Sequence, residues 1–286
     1  MSNTGLSSAM KMDLHCHSYF SDGNHSPDYL LERAQQNQIT HLAITDHDCI
    51  EACSFSSSQY PEVTLINGVE ISSAWNNLEV HVLGLCIDSA NVQLQQLLAR
   101  QQTQRQLRIQ EMDVKLNNLG TAGLMAHLDN LPCIAYTRSH AADFLVLKGV
   151  CKNRQKAFKS HLGKNGRIYV APKWCDLQDA VAGIRSAGGI AVLAHPGRYP
   201  LSRRKLEALT DDFCAAGGEA LEVSYANIQP DIKQRLSELA ISRQMYCSIG
   251  SDFHDAQASW TDLGKFPQLD AEAKKNAIWL HPKWHS

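Results

Sequence analysis

The 286-residue sequence contains no long hydrophobic run and no Cys-x-x-Cys pair. No apolar run approaches the roughly 20 residues that a membrane-spanning helix needs, so we expect no membrane attachment. The nine cysteines are odd in number and never spaced as Cys-x-x-Cys, which argues against a disulfide framework and a thiolate zinc site. Residues 1–9, MSNTGLSSA, have neither a basic segment nor an apolar core, so they predict a flexible leader and no signal peptide. These features predict a cytoplasmic protein.

The sequence also has no GxxxxGK[ST] motif, so it gives no support for binding a nucleoside triphosphate through a P-loop. Its composition is that of an ordinary soluble globular protein, with 44% hydrophobic and 20% charged residues and a formal net charge of −2. The length suits one large α/β domain, or a domain with an insertion.

Short apolar runs alternate with helical patterns along most of the chain. Strands are predicted at 12–18, 40–47, 64–72, 79–88, 190–196, 220–225 and 246–254. Helices are predicted at 26–36, 176–189, about 202–216 and about 230–243. The first of them has Ser26 as its cap and Pro27 at its first position. This alternation predicts an α/β fold with a mostly parallel sheet or barrel.

The middle of the chain departs from that alternation. Residues 91–119 predict one long helix with leucines along one face, ended by Gly120. Residues 121–168 continue with helical patterns and no convincing strand. We therefore predict an all-helical insertion at 100–171, between a first barrel part at 1–99 and a second at 172–286.

Charge separates the predicted insertion from the rest of the chain. Residues 100–171 hold 12 Lys and Arg against 4 Asp and Glu, which is +8, and the remainder holds 15 against 25, which is −10. A basic face on a single helix is most often only solvated. A whole segment this basic is less common, and it predicts contact with a polyanion.

Histidine and carboxylate residues recur at the predicted strand ends. His15 and His17 lie two apart on a strand and therefore point to the same face, and Asp252 and His254 repeat this spacing. The other residues of this type are Asp22, His47, Glu70, His81 and His195. Any one of them could be a cap or a core residue, but together they would bury several uncompensated polar groups. Imidazole and carboxylate without thiolate favour Mn, Fe or Zn in a catalytic site at the strand ends.

Six stretches in order resemble the successive motifs of the PHP (polymerase and histidinol phosphatase) superfamily. They are DLHCHSYFSDG, AITDHD, GVEIS, HVLGL, GGIAVLAHPGRY and GSDFH. The resemblance extends from about residue 11 to 255 and implies a distorted (β/α)7 TIM-like barrel with a trinuclear metal site. The helical insertion and the stretch TRSHAADFLVLKGVCKNRQKAFKSHLGKNG are similar to the ribonuclease AM branch. Its members are 5′-to-3′ exoribonucleases that also act as 3′,5′-nucleotide bisphosphate phosphatases.

The resemblance implies a set of nine metal ligands that is also the catalytic set. These are His15, His17, Asp22, His47, Glu70, His81, His195, Asp252 and His254. All nine positions hold the expected residue type. Glu70 is implied as a bridge between two metals, and Asp22, His47 and one residue of the final motif as ligands of the third. We expect three divalent ions, Mn by preference, with Fe or Zn as alternatives.

Clustered divalent metals generate hydroxide from water near neutral pH and neutralise charge on a phosphoryl group. We therefore expect hydrolysis by a metal-activated hydroxide, without a Ser or Cys nucleophile. The expected substrates are nucleoside 3′,5′-bisphosphates and single-stranded RNA or short oligonucleotides, processed from the 5′ end. We expect no obligatory protein partner.

Four side chains are candidates for binding substrate phosphate: Arg138, His140, Lys164 and Arg198. Arg198 follows a strand end directly after His195, which suits bidentate contact with phosphate. Its alternative role is a structural salt bridge, and the other three could be surface residues of the insertion. An aromatic side chain, Trp174 or Tyr199, could stack on a base or belong to the core.

Two other functions compete with the exoribonuclease. One is a histidinol-phosphate-type small-molecule phosphatase, and the other is a non-catalytic, metal-containing nucleic-acid-binding module. The +8 insertion argues against the first, because a small phosphate monoester needs no basic segment. The presence of all nine implied ligands argues against the second. We further expect the insertion to form a basic lid over the metal site.

Overall fold

The computed structural model describes residues 10–285, and the leader predicted at 1–9 lies outside them. The strands are β1 (Met12–Cys16), β2 (His41–Ile44), β3 (Thr64–Trp75), β4 (Leu78–Leu85), β5 (Cys175–Asp176), β6 (Ile190–Leu193), β7 (Ala220–Ser224) and β8 (Tyr246–Ile249). The helices are α1 (Pro27–Gln36), α2 (Val92–Asn118), α3 (Leu124–Leu128), α4 (Arg138–Leu147), α5 (Arg154–Ala157), α6 (Leu177–Ser186), α7 (Arg203–Ala215), α8 (Pro230–Ser242) and α9 (Ala271–Lys274). Among the helices of these residues, none combines the length and the apolarity that crossing a bilayer requires.

Seven strands follow one another around a sheet in the order β1-β2-β3-β4-β6-β7-β8, and β5 pairs with β3. Most neighbours are parallel, but β4 is antiparallel to both β3 and β6. A parallel bridge between Cys16 and Phe253 joins the end of β1 to the segment after β8. There His17 N donates to Phe253 O at 2.9 Å, and Asp252 N donates to His15 O at 2.8 Å. The sheet is therefore nearly closed, and the expected distorted α/β barrel is confirmed.

The reversed direction of β4 matters for the rim of the barrel. His81, near the start of β4, pairs with Ser72 of β3, and its carbonyl accepts from Ala194 N just after the end of β6, at 3.0 Å. The first residues of β4 therefore lie where the parallel strands end. That rim is where α/β barrels place their sites.

Local sequence explains the surrounding helices. Ser26 Oγ accepts from Tyr29 N at 3.1 Å and Pro27 begins α1, so the cap predicted there is confirmed. Helix α1 buries Pro27, Leu30, Leu31 and Ala34, the i, i+3, i+4, i+7 spacing of one helix face. Burial of each leucine side chain stabilises the fold by about 1.5–3 kcal/mol. Helices α6, α7 and α8 likewise cover the barrel with one apolar face each.

Helices α2 to α5 lie between β4 and β5, followed by a π-helical turn at Phe158–Leu162. The first half of α2 packs on the barrel core through Leu94 and Leu97. This packing is close, because a Cβ on Gly183 of α6 would lie 2.6 Å from Leu97 Cδ2. The second half of α2 joins a separate hydrophobic cluster that includes Met112 and Phe144. One helix thus ties the helical segment to the barrel, while the boundaries at 100 and 171 stay a prediction.

Candidate metal centre

The nine side chains expected as ligands converge at one rim of the barrel. Their nitrogen and oxygen atoms form four overlapping groups, and within each group the atoms lie within 4.8 Å of one another. The groups are His17, Asp22, His47 and His254; His15, Glu70 and His195; His15, His17 and Asp252; and His47, Glu70 and His81. The structure therefore brings together all nine residues.

Backbone geometry at the strand ends sets the direction of these side chains. His15 on β1 and His17 just after it share a face, while Cys16 between them lies in a hydrophobic cluster on the other side. His195 and Asp252 follow β6 and β8 with φ of 31° and 52°, in the left-handed region. Non-glycine residues held there cost about 1–3 kcal/mol each and concentrate at functional sites.

Glu70 of β3 lies at the centre of the cluster and is 1% exposed. Its Oε1 lies 3.0 Å from His81 Nδ1 and 3.0 Å from His195 Nε2. Its Oε2 lies 3.0 Å from His47 Nδ1 and 3.3 Å from His17 Nε2. The two carboxylate oxygens thus face different imidazoles, which is the position that a carboxylate shared between two cations would occupy.

The carboxylates and imidazoles perturb one another strongly. Burial raises the pKa of Glu70, but His47, His81 and His15 outweigh burial and hold that pKa well below its usual value. Burial lowers the pKa of His17, yet Asp252 and Glu70 raise it to about 10. A proton on His17 therefore balances these carboxylates, and a divalent cation would displace it.

Several buried atoms of the cluster lack a hydrogen-bond partner. They are Asp22 Oδ1, Glu70 Oε2, His47 Nδ1 and His195 Nδ1. His47 Nδ1 and Glu70 Oε2 approach within 3.0 Å but without hydrogen-bond geometry. An unsatisfied buried polar atom costs about 1–3 kcal/mol, and a cation would satisfy these donor atoms. Nitrogen and oxygen donors without thiolate fit a divalent-metal centre.

Two buried carboxylates that the sequence reasoning did not single out support the cluster. Glu222 Oε1 lies 3.0 Å from His15 Nδ1, and Glu222 Oε2 accepts from His195 N at 2.6 Å. Asp46 accepts from Ser18 N at 2.8 Å and from Ser21 Oγ at 2.6 Å. The signal for Glu222 was present, because ALEVSY has an acid in the middle of an apolar strand. A carboxylate in contact with an imidazole, as Glu222 is with His15, orients that ring for binding a metal.

The expected phosphate-binding residues lie in different surroundings. Arg198 forms an ion pair with Asp252, which is the structural salt bridge named above as its alternative role. Its guanidinium lies 4.9 Å from the Tyr225 ring. Arg198 is 41% exposed and lines an open cleft of about 700 Å³ together with His254 and Trp260. It is therefore both a structural partner and part of the wall of the cleft.

The three candidates in the helical segment also differ. Arg138 begins α4 and forms an ion pair with Glu79, at 3.4 Å, beside His81. His140 is buried and caps α4, with Nδ1 accepting from Thr137 N at 3.1 Å. Lys164 is exposed, and none of the contacts found among residues 10–285 joins it to the nine side chains. Of these three, only Arg138 is a cation at the rim, and there it is paired with Glu79.

The two aromatic candidates take packing roles. Trp174 is buried against the guanidinium groups of Arg105 and Arg108, at 4.8 and 5.4 Å. Tyr199 Oη donates to Ala194 O and accepts from His81 N, both at 2.9 Å. Of the two roles that the sequence left open, base stacking or packing in the core, the structure shows packing for both Trp174 and Tyr199.

Comparisons with known proteins agree with this geometry. A family model of the PHP domain matches residues 13–169. The chain is 37% identical over 284 residues to the 5′-3′ exoribonuclease Rnm of Escherichia coli, covering 98% of this chain and 95% of the relative. It is 37% identical over 264 residues to the 3′,5′-nucleoside bisphosphate phosphatase of Chromobacterium violaceum, covering 90% and 92%. A solved structure of an amidohydrolase from Chromobacterium violaceum with bound sulfate has a TM-score of 0.87 at 34% identity, covering 94% and 95%. The expectation from the motifs is confirmed: the chain belongs to the PHP domain family.

Proposed function

We propose that the protein is a metal-dependent phosphoesterase that hydrolyses nucleoside 3′,5′-bisphosphates and degrades RNA from the 5′ end. The observation that carries this proposal is the convergence of nine imidazole and carboxylate side chains on one barrel rim, beside an open cleft. Relatives of nearly equal length that are named for these two activities support it.

The donor groups suggest how divalent ions would be held. Glu70 belongs to two of the four groups, so we assign it as the carboxylate shared by two ions. Asp22, His47 and His254 share a group with His17, and we assign them to a third ion. We propose Mn, with Fe or Zn as alternatives. Bound ions of this kind supply hydroxide near neutral pH and stabilise the charge that develops on a phosphoryl group.

Other residues of the chain position the ligands and the substrate. Glu222 orients His15 and fixes the backbone at His195. Arg198 borders the cleft, and in this proposal it exchanges its partner Asp252 for a phosphate oxygen of the substrate. A guanidinium there would neutralise the substrate before and during hydrolysis.

The open cleft has room for a nucleotide. Its volume of about 700 Å³ lies within the range of about 300–1,000 Å³ usual for small-molecule sites. Barrel residues Arg198 and His254 line it, and so do Asp143 and Arg154 of the helical segment. Trp260 at its edge is 64% exposed, which suits stacking on a base. The basic helical segment would thus form a lid over the centre and attract RNA.

The alternatives explain fewer of these features. A histidinol-phosphate-type phosphatase needs no basic helical segment beside its cleft. A non-catalytic module needs no complete set of nine ligands around shared carboxylates. All nine cysteines are free thiols, as expected of a protein kept in a reducing cytoplasm, where we propose that it acts.

Hydrolysis assays with added Mn separate these functions. We expect phosphate release from adenosine 3′,5′-bisphosphate and stepwise release of mononucleotides from a 5′-phosphorylated oligoribonucleotide. Faster turnover of histidinol phosphate would favour the small-molecule phosphatase instead. RNA binding without hydrolysis, in protein shown to contain metal, would favour the non-catalytic module.

A further inference from the structure

The side chain of Tyr199 lies where β4 and β6 reach the rim of the barrel. Its ring packs against the hydrophobic core of the barrel, and the centroid of that ring lies 5.7 Å from the centroid of the His195 ring. Its hydroxyl contacts backbone atoms of both strand ends. Tyr199 is not one of the nine side chains of the metal centre, so the place of its hydroxyl needs an explanation of its own.

The antiparallel pairing of β4 with β6 changes at this hydroxyl. The register that pairs Val82 with Leu193 brings His81 opposite Ala194, one residue nearer the rim. A hydrogen-bonded pair of this kind normally has two backbone bonds, one in each direction. Ala194 N donates to His81 O at 3.0 Å, which is the first of them. The second is replaced, because His81 N and Ala194 O both bond to Tyr199 Oη.

The hydroxyl forms one hydrogen bond with each strand end. It accepts from His81 N at 2.9 Å and donates to Ala194 O at 2.9 Å. A direct N–H···O bond between the two backbone groups would itself measure only about 2.9–3.0 Å. An oxygen atom between them therefore holds the strand ends apart at the rim, while the bond from Ala194 N keeps them paired.

Each of the two separated strand ends carries an expected metal ligand. His81 is one of them, and His195 follows Ala194 directly. His81 Nδ1 and His195 Nε2 each lie 3.0 Å from the same oxygen, Glu70 Oε1, and the centroids of the two rings lie 5.3 Å apart. The imidazoles thus approach one carboxylate oxygen from neighbouring strands, so the spacing of the strand ends sets the distance between the rings.

Tyr199 also closes a short loop of chain around His195. Residue His195 has φ of 31°, and its carbonyl accepts from Arg198 N at 2.9 Å in the turn that leads to Tyr199. The bond from Tyr199 Oη to Ala194 O brings the chain back to the residue before His195. The bond from His81 N to the same hydroxyl then fastens this loop to β4.

The hydrogen bonds of the hydroxyl argue against a direct part in the reaction. Its proton is given to Ala194 O, and its oxygen accepts from His81 N. Tyr199 is not one of the residues that line the open cleft. Because the proton is committed to the backbone, the hydroxyl is not available to protonate a leaving group, and its effect on the centre passes through the two histidines.

We propose that Tyr199 is a positioning residue whose hydroxyl holds His81 and His195 at the spacing that lets each bind a cation beside Glu70. This inference rests on the proposed function, in which two ions share Glu70. One of the two donor groups around Glu70 contains His81 and the other contains His195. The group assigned to the third ion contains neither, so it should keep its affinity.

Tyr199→Phe tests the proposal, because it removes one oxygen atom and keeps the ring. His81 N and Ala194 O then either bond directly, which draws the imidazoles together, or lose their partner, which frees the loop around His195. Loss of a group that orients metal ligands typically costs about 10- to 100-fold in metal affinity. Calorimetric titration of metal-free protein with Mn should show a loss of this size for two of the three ions.

Tyr29→Phe is the matched control, since it removes a hydroxyl that accepts from Arg33 Nη1 at 3.3 Å on α1. This variant should bind Mn like wild type. Protein loaded with Co²⁺ gives a second readout, because the visible absorption of this ion depends on the geometry of its ligands. The Co²⁺ spectrum should shift in Tyr199→Phe and stay unchanged in Tyr29→Phe.

A merely structural role for Tyr199 predicts a different result. Tyr199→Phe would then melt at a lower temperature but keep the Mn affinity and the Co²⁺ spectrum of wild type, which would overturn the proposal. An equal loss of affinity for all three ions would overturn it as well, because the effect would then not pass through His81 and His195.

A second variant decides the question if Tyr199→Phe does not fold. Replacing Tyr199 with 4-aminophenylalanine keeps a donor to Ala194 O but gives His81 N a poorer acceptor. This protein should bind Mn more weakly than wild type, and an unchanged affinity would overturn the proposal. Failure of the proposed function is distinguishable from these outcomes, because wild-type protein would then bind Mn and hydrolyse neither adenosine 3′,5′-bisphosphate nor RNA.

Discussion

Replacing Glu222 with glutamine tests how far a buried carboxylate behind the ligands sets the metal affinity. Glu222 lies on β7 with no exposed surface and contacts both His15 and His195. With Nδ1–H of His15 donating to this carboxylate, the Nε2 of His15 presents its lone pair to the centre, 3.5 Å from Glu70 Oε1. Three of the four donor groups contain His15 or Glu70, so a change at Glu222 reaches most of the site.

Glutamine keeps the shape of the side chain but changes its chemistry. If its amide oxygen accepts from His195 N, its NH₂ group faces His15 Nδ1 and favours the tautomer with the proton on Nε2. That tautomer cannot bind a cation through Nε2. Loss of such a supporting partner typically costs about 10- to 100-fold in metal affinity, and we expect a loss of this size.

The assay is a titration of metal-free protein with Mn, followed by measurement of bound metal by mass spectrometry. Glu238→Gln, on the exposed side of α8, is the matched control and should bind Mn like wild type. A Glu222→Gln protein with an unchanged dissociation constant for Mn would refute the reasoning. Thermal melting of both variants shows whether any loss reflects unfolding.

Three further outcomes are expected. Burial lowers the pKa of His17 and His81, but nearby carboxylates raise both pKa values to about 10. Because metal binding must displace these protons, the affinity for Mn should rise with pH from about 6 to 9 in titrations at fixed salt. An affinity that does not change with pH would contradict this. Asp252→Asn should lower kcat by about a hundredfold or more with little change in melting temperature, whereas near-normal turnover at unchanged metal content would make Asp252 structural. Raising salt from about 50 to 200 mM should weaken RNA hydrolysis much more than bisphosphate hydrolysis. At fixed salt, RNA hydrolysis should likewise weaken much more than bisphosphate hydrolysis when four basic residues are replaced together with Gln. These are Lys152, Arg154, Lys156 and Lys159. Equal loss of both activities would mean that the segment holds the site together, and loss of neither would mean that its charge is only solvated.

The sequence alone determined the elements of the barrel and the residue types of the site. Strand and helix patterns depend on neighbours two to four positions apart, so they can be read locally, as for α1 with its Ser26 cap. His15 and His17 share a face for the same local reason. The motif order then identified all nine side chains that the structure brings together.

The tertiary structure decided which side chains meet and what supports them. Glu222 contacts His15 across 207 positions of the chain, and no local pattern encodes such a pair. The reversal of β4, which brings His81 to the rim, depends on pairing with both β3 and β6. Tyr199, from the sequence, could stack on a base or belong to the core. Only the tertiary structure places its hydroxyl between β4 and β6, because its partner His81 comes from an element 118 positions away in the chain.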